Sequence, residues 1–77
     1  MRILLAEDEQ RLSDALVYII KKNKYAVDVA YNGITAFDLA LSGIYDVIIL
    51  DRMMPGMEGV NILRQMRKNN IKTPVSF

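Results

Sequence analysis

The sequence predicts an α/β fold, a parallel sheet with helices on its faces. Three observations carry that reading. Short apolar runs alternate along the chain with stretches whose apolar residues recur at helical spacing. Two of those runs, Ile3-Leu4-Leu5-Ala6 and Val47-Ile48-Ile49-Leu50, are continuous, as suits strands covered on both sides. Turn and cap residues separate the segments. The resulting order is strand, helix, strand, helix, strand, helix, partial strand, and such alternation implies parallel strands joined by right-handed crossovers.

Each element has its own justification. The first strand, Ile3 to Ala6, ends at Glu7-Asp8-Glu9. Leu12, Ala15, Leu16, Ile19 and Ile20 then recur as the inner stripe of a first helix. Lys21, Lys22 and Lys24 follow, suiting the negative end of its dipole. The second strand, Ala26 to Ala30, carries Asp28 between two valines, which suggests a sheet edge near solvent. Asn32 reads as a helix N-cap, Ala36, Phe37, Ala40 and Leu41 as an inner stripe, and Gly43 as the closing residue. Val47 to Leu50 is the most apolar strand, expected near the centre, and it ends at Asp51. Met54-Pro55-Gly56-Met57 places Pro and Gly where a type II turn prefers them. A third helix is expected from about Glu58, with Val60, Leu63 and Met66 inward and Asn69-Asn70 as its stop. Thr73-Pro74 breaks the chain again, and Val75-Ser76-Phe77 begins something strand-like.

Composition excludes much chemistry. The 77 residues include no Cys and no His. Thiol nucleophiles, disulfides, imidazole bases and histidine or cysteine metal sites are therefore absent. The length allows one small domain. A chain this short buries only about 60% of its unfolded surface. Net charge is +1, from 10 basic and 9 acidic residues, which gives no reason to expect nucleic-acid or membrane binding through bulk charge. At 52% hydrophobic content the chain can form a packed core. No run approaches the ~20 apolar residues of a membrane span, and the N-terminus lacks a signal peptide's apolar region. A cytoplasmic protein is expected.

The acids fall where chemistry is expected. In open parallel sheets, ligands bind beyond the carboxyl ends of the strands. Glu7 and Asp8 follow strand one, and Asp51 ends strand three. If those strands are neighbours, about 4.8 Å apart, the carboxylates converge and need a proton or a cation. An all-oxygen site favours a hard ion, magnesium or manganese, and such ions serve phosphoryl chemistry. Asp51 is then the candidate nucleophile, forming an aspartyl phosphate, with Glu7 and Asp8 holding the metal. The bland reading stands beside this one: Asp8 or Glu9 could merely cap helix one, and Asp51 could be a turn residue. Met53, Met54 and Met57 read as packing and turn contacts rather than a soft-metal site, and Arg52 as an exposed arginine. Ser13, Ser42 and Ser76 have no base available. Asn32-Gly33 is weak as a phosphate loop, and no P-loop or dinucleotide fingerprint is present.

Two stretches make the chain recognisable. Arg2-Ile3-Leu4-Leu5-Ala6-Glu7-Asp8-Glu9 and Asp46-Val47-Ile48-Ile49-Leu50-Asp51-Arg52-Met53-Met54-Pro55-Gly56-Met57-Glu58-Gly59 closely resemble the receiver domain of bacterial two-component response regulators. The flavour is that of transcription factors carrying a winged-helix DNA-binding domain. The resemblance spans the whole chain and implies a flavodoxin-like sheet of order 2-1-3-4. It implies Asp51 as phosphoacceptor, charged by a histidine kinase. It assigns Mg2+ to Glu7, Asp8, Asp51 and the Met53 backbone carbonyl. Pro55 and Gly56 match the pocket-shaping loop, and Gly59 the glycine that opens helix three. DNA would be reached only through an effector domain.

The family also has a Ser or Thr after strand four and a Lys after strand five that clamp the phosphoryl group; Thr73 and Ser76 do not match. Residues 1–77 are thus expected to be a receiver domain incomplete from strand four onward, not an enzyme in its own right. Weak metal binding and little stable phosphorylation follow. With strand four an open edge and one sheet face partly covered, self-association through either is expected. An inert or oligomerising interaction module is the rival reading. An aspartate-nucleophile phosphatase of the dehalogenase type is disfavoured, because the second Asp it requires is replaced by Met53.

Overall fold

The structure, a computed structural model, describes all 77 residues. Its elements are β1 (Arg2–Ala6), α1 (Gln10–Lys22), β2 (Ala26–Ala30), α2 (Gly33–Ala40), β3 (Val47–Leu50), α3 (Gly59–Lys68) and β4 (Val75–Ser76). The four strands form one parallel sheet in the order β2-β1-β3-β4. The alternation of elements, the strand order and the edge position of β2 all match expectation.

Strand pleating divides the apolar residues between the two faces. Parallel register places Leu4 beside Ile48 and Ala6 beside Leu50. These four join Ala30 of β2, Ala36 and Ala40 of α2, and Ile62 and Met66 of α3 in one buried cluster, so α2 and α3 share a face. Leu5 pairs with Ile49 and points to the other face. There α1 packs against β2, and a groove of about 500 Å³ remains between Leu12 and Leu16 of α1, Leu5, Ile49 and the terminal Phe77. The partly covered face foreseen from the sequence is this one.

Two inner stripes need correction. On α1 the buried residues are Ser13 and Ile20; Leu12, Ala15 and Ile19 are exposed. The helix's apolar stripe extends past the sheet it lies on, so its outer edge has nothing to pack against. Ser13 is tolerated inside because its hydroxyl donates to the Gln10 carbonyl at 3.0 Å. On α3 the buried stripe is Gly59, Ile62 and Met66, with Leu63 half-buried and Val60 exposed. Spacings of three and seven from Gly59 put Ile62 and Met66 on its face, and Val60 lies one residue, about 100°, away.

Helix ends follow their caps. Glu9 caps α1, accepting hydrogen bonds from the backbone N–H of Arg11 at 3.3 Å and Leu12 at 2.7 Å. Asn32 caps α2, accepting from the Thr35 N–H at 2.8 Å. Gly43 is left-handed, at φ 74°, but it lies three residues beyond Ala40, so it turns the loop after the helix has already ended.

At the amino ends of the strands, Arg2 ties three segments together. Its guanidinium meets Asp28 at 3.2 Å, and its backbone N–H donates to Asp46 at 2.7 Å. The buried Tyr45 hydroxyl donates to Asp28 at 2.8 Å. Burial, then the Asp28 carboxylate, pushes the Tyr45 phenol up to about 12.

Candidate functional site

Register builds the site. Ala6 and Leu50 are partners across the β1–β3 pair, and the Asp51 N–H donates to the Ala6 carbonyl at 3.0 Å. The next residue of each strand, Glu7 and Asp51, therefore emerges at the same carboxyl rim, and Asp8 follows. Carboxylate oxygens of Glu7, Asp8 and Asp51 all lie within 4.8 Å of one another. Burial rises across the trio: Asp8 is exposed, Asp51 half-buried and Glu7 buried. Because Glu9 caps α1, neither Glu7 nor Asp8 is committed to the helix start. The capping alternative thus falls on the third acid of the run.

Electrostatics at this rim oppose three bare charges. Burial holds the Glu7 carboxyl above its ordinary range; the Glu9 N–H, 3.3 Å away, works against that, and the Asp51 and Asp8 carboxylates add to it. Asp51 accepts a hydrogen bond from the Met53 N–H at 3.1 Å, which ties the turn after β3 to the carboxylate.

The donor set fits a small hard cation. All three donors are carboxylate oxygens, and imidazole and thiolate are absent from the chain. Oxygens on opposite sides of magnesium lie about 4.2 Å apart, twice its bond length of about 2.1 Å. The carboxylate oxygens here, all within 4.8 Å of one another, span a comparable distance. Magnesium needs only a few carboxylates and keeps several waters, whereas calcium takes six to eight oxygens.

The turn after β3 is held from three sides. Met54 is buried in the main core, and Met57 packs against it, whereas Met53 points its side chain to solvent. The Gly59 N–H donates to the Arg52 carbonyl at 3.1 Å, and a Cβ on Gly59 would sit 3.0 Å from the Asp51 carbonyl. Gly56, at φ 95°, adopts the conformation that the type II reading requires. From α2, the Gly33 N–H donates to the Pro55 carbonyl at 2.7 Å. Sequence reasoning assigned Gly33 no part here. A glycine directly after an N-cap is a weak sign of close backbone approach. Arg52 is exposed, with its guanidinium 5.0 Å from the centre of the Phe77 ring.

Comparison with known proteins agrees with this geometry. A family profile described as response regulator receiver domain matches residues 3–77. The transcriptional regulatory protein DltR of Streptococcus agalactiae is 34% identical over 77 residues, which is 100% of this chain and 34% of DltR. The chain thus spans about a third of the length of the curated relatives it matches. Among solved structures, the receiver domain of a Francisella response regulator superposes with a TM-score of 0.90 at 35% identity, covering 96% of this chain and 61% of that one. TrrA of Thermotoga maritima, solved in complex with Mg(2+)-BeF, gives 0.87 at 34% identity over 96% and 64%. TrrA has also been solved in complex with the histidine kinase ThkA.

Proposed function

Because the chain belongs to the response regulator receiver domain family, we propose that it accepts a phosphoryl group on Asp51 from a histidine kinase, using Mg2+ bound at Glu7, Asp8, Asp51 and the Met53 backbone carbonyl. The convergence of the three carboxylates at one strand rim is the observation that carries this reading. Bound magnesium supplies positive charge that screens the carboxylates from the incoming phosphoryl group. An Asp51 oxygen bonds to phosphorus as the donor's nitrogen–phosphorus bond breaks, and the departing nitrogen keeps the electron pair and takes up a proton. Glu7, buried beside Asp51, would help to hold the ion. The Met53 N–H orients the acceptor carboxylate.

In the whole protein the product would control transcription, as the names of the relatives suggest. DNA contact belongs to an effector domain, and the chain is a phosphoacceptor, not an enzyme. No helix is long and apolar enough to cross a membrane.

Incubation with Mg2+ and phosphoramidate or acetyl phosphate, followed by intact-mass measurement, tests the proposal. A gain of one phosphoryl group, lost in Asp51→Asn, supports it. Labelling of these 77 residues is expected to be slight, because the Ser or Thr and the Lys that clamp the group follow position 77 in the family's order. A longer chain carrying both should label well, and its failure to do so would refute the assignment of Asp51.

A further inference from the structure

The first turn of α2 touches no carboxylate of the metal site, yet the loop from β3 lies directly on it. A Cβ built on Gly33 would sit 2.2 Å from the Met57 carbonyl oxygen, 2.4 Å from its nitrogen and 2.7 Å from its Cα. All three are backbone atoms, so no side-chain rotation relieves the clash. The Gly33 N–H simultaneously holds the Pro55 carbonyl at 2.7 Å. One residue along, Ile34 lies beneath Gly56, its Cγ1 3.3 Å from where a Cβ of Gly56 would be. The supported loop is the one that leaves Asp51 and carries Met53, whose N–H meets the Asp51 carboxylate.

We propose that Gly33 is a positioning residue for the metal site: its missing side chain lets the loop backbone seat on α2, and that seat sets the Met53 peptide against Asp51. The inference rests on the metal reading above. A methyl group at position 33 must lift the backbone at Met57 and Pro55, and the loop has little slack, because Gly59 anchors its far end to Arg52. The displacement therefore reaches Met53. Losing a group that orients a metal ligand typically weakens metal binding by roughly ten- to a hundredfold.

Manganese, also a hard ion, serves as the probe, with free Mn2+ read by electron paramagnetic resonance alongside thermal melting. Gly33→Ala is expected to bind Mn2+ at least about tenfold more weakly than wild type while still melting cooperatively. Gly43→Ala is the control: Gly43 has φ 74° and nothing within 4 Å of its Cβ position, so this variant should lose stability and keep its Mn2+ affinity. Ile34→Ala trims an exposed side chain under the same loop and should weaken binding measurably, but by less than the tenfold expected of Gly33→Ala. It decides the matter if Gly33→Ala does not fold. Unchanged affinity in the folded variants overturns the role of Gly33 and leaves the metal reading standing. A wild-type chain that binds no Mn2+ overturns both.

Discussion

Glu7 is where burial and charge conflict most sharply. Two unit charges about 4 Å apart repel by about 1 kcal/mol in water and about 4 kcal/mol at the effective dielectric of a protein rim. Glu7 is buried beside Asp51 and Asp8, so the metal-free chain carries this repulsion without much solvent to relieve it. Glu7→Gln removes one charge and keeps the shape. Its metal-free melting temperature should rise by about 4–8 °C, the shift that 1 kcal/mol gives a domain of this size. Adding Mg2+ should raise the wild type and leave the variant nearly unmoved; equal magnesium shifts in both would remove Glu7 from the ligand set. The three acids were legible in the sequence because Glu7 and Asp51 directly follow strands, with Asp8 one residue on, and neighbouring parallel strands deliver their next residues to one rim. Which acid of Glu7-Asp8-Glu9 caps the helix was not legible, since all three have suitable chemistry and only the path of the turn selects Glu9. Gly33 was harder still: its partner, Met57, is distant in sequence, and close backbone approach leaves no pattern in composition.

Between elements, the network opposite the metal rim makes a separate claim. Tyr45 precedes β3, Asp28 sits in β2 and Arg2 opens β1, so the hydroxyl–carboxylate–guanidinium chain spans three strands. The Arg2–Asp28 pair is exposed and adds little stability by itself. The buried Tyr45 hydroxyl matters more, since a hydrogen bond to a charged group contributes about 1.5–3 kcal/mol. Its phenol is raised from 10 to about 12 in the fold. A folded value above the unfolded one means stability is intact below pH 10 and drains away as pH climbs toward 12. Tyr45→Phe should melt lower at neutral pH, and its difference from wild type should shrink across that alkaline window. Circular dichroism melts at stepped pH measure this; a constant difference would show that the hydroxyl's surroundings do not favour its protonated form. Strand positions were readable from apolar runs because a central strand is apolar whichever face it shows. Helix faces were less so. The periodicity of α1 marks Leu12 and Ile19 as apolar, but it cannot say how far the sheet beneath extends, and both residues end at the open side.

At the scale of all 77 residues, close packing coexists with an incomplete covering. Its radius of gyration is 11.4 Å, against about 11.5 Å expected for 77 residues, so the strands and helices pack closely. Yet only 18 of the 77 residues are buried, and Leu12, Ile19 and Phe77 are among the large apolar side chains left exposed. Two features favour a second copy of the chain as the cover. The groove beside α1 is walled by Leu5, Leu12, Leu16 and Ile49, and β4 is bonded to β3 alone, leaving its other edge free. Association that buries this surface stabilises the fold by mass action, so melting temperature should climb with protein concentration, and dilute protein should lose cooperative melting. Light scattering after size exclusion should show a mass above 8.8 kDa that grows with loading. Leu12→Lys distinguishes the groove from the strand edge. Position 12 is already 47% exposed, so a lysine there can reach solvent without disturbing α1, but it would put a charge in the groove. If the groove is the contact, this variant loses the concentration dependence and runs at the monomer mass. If β4 is the contact, it behaves as wild type, and a charge placed at Ser76 becomes the disruptive change. A wild type that stays monomeric and melts cooperatively at every concentration excludes both, and would mean that the cluster between the sheet and α2–α3 suffices to hold the fold.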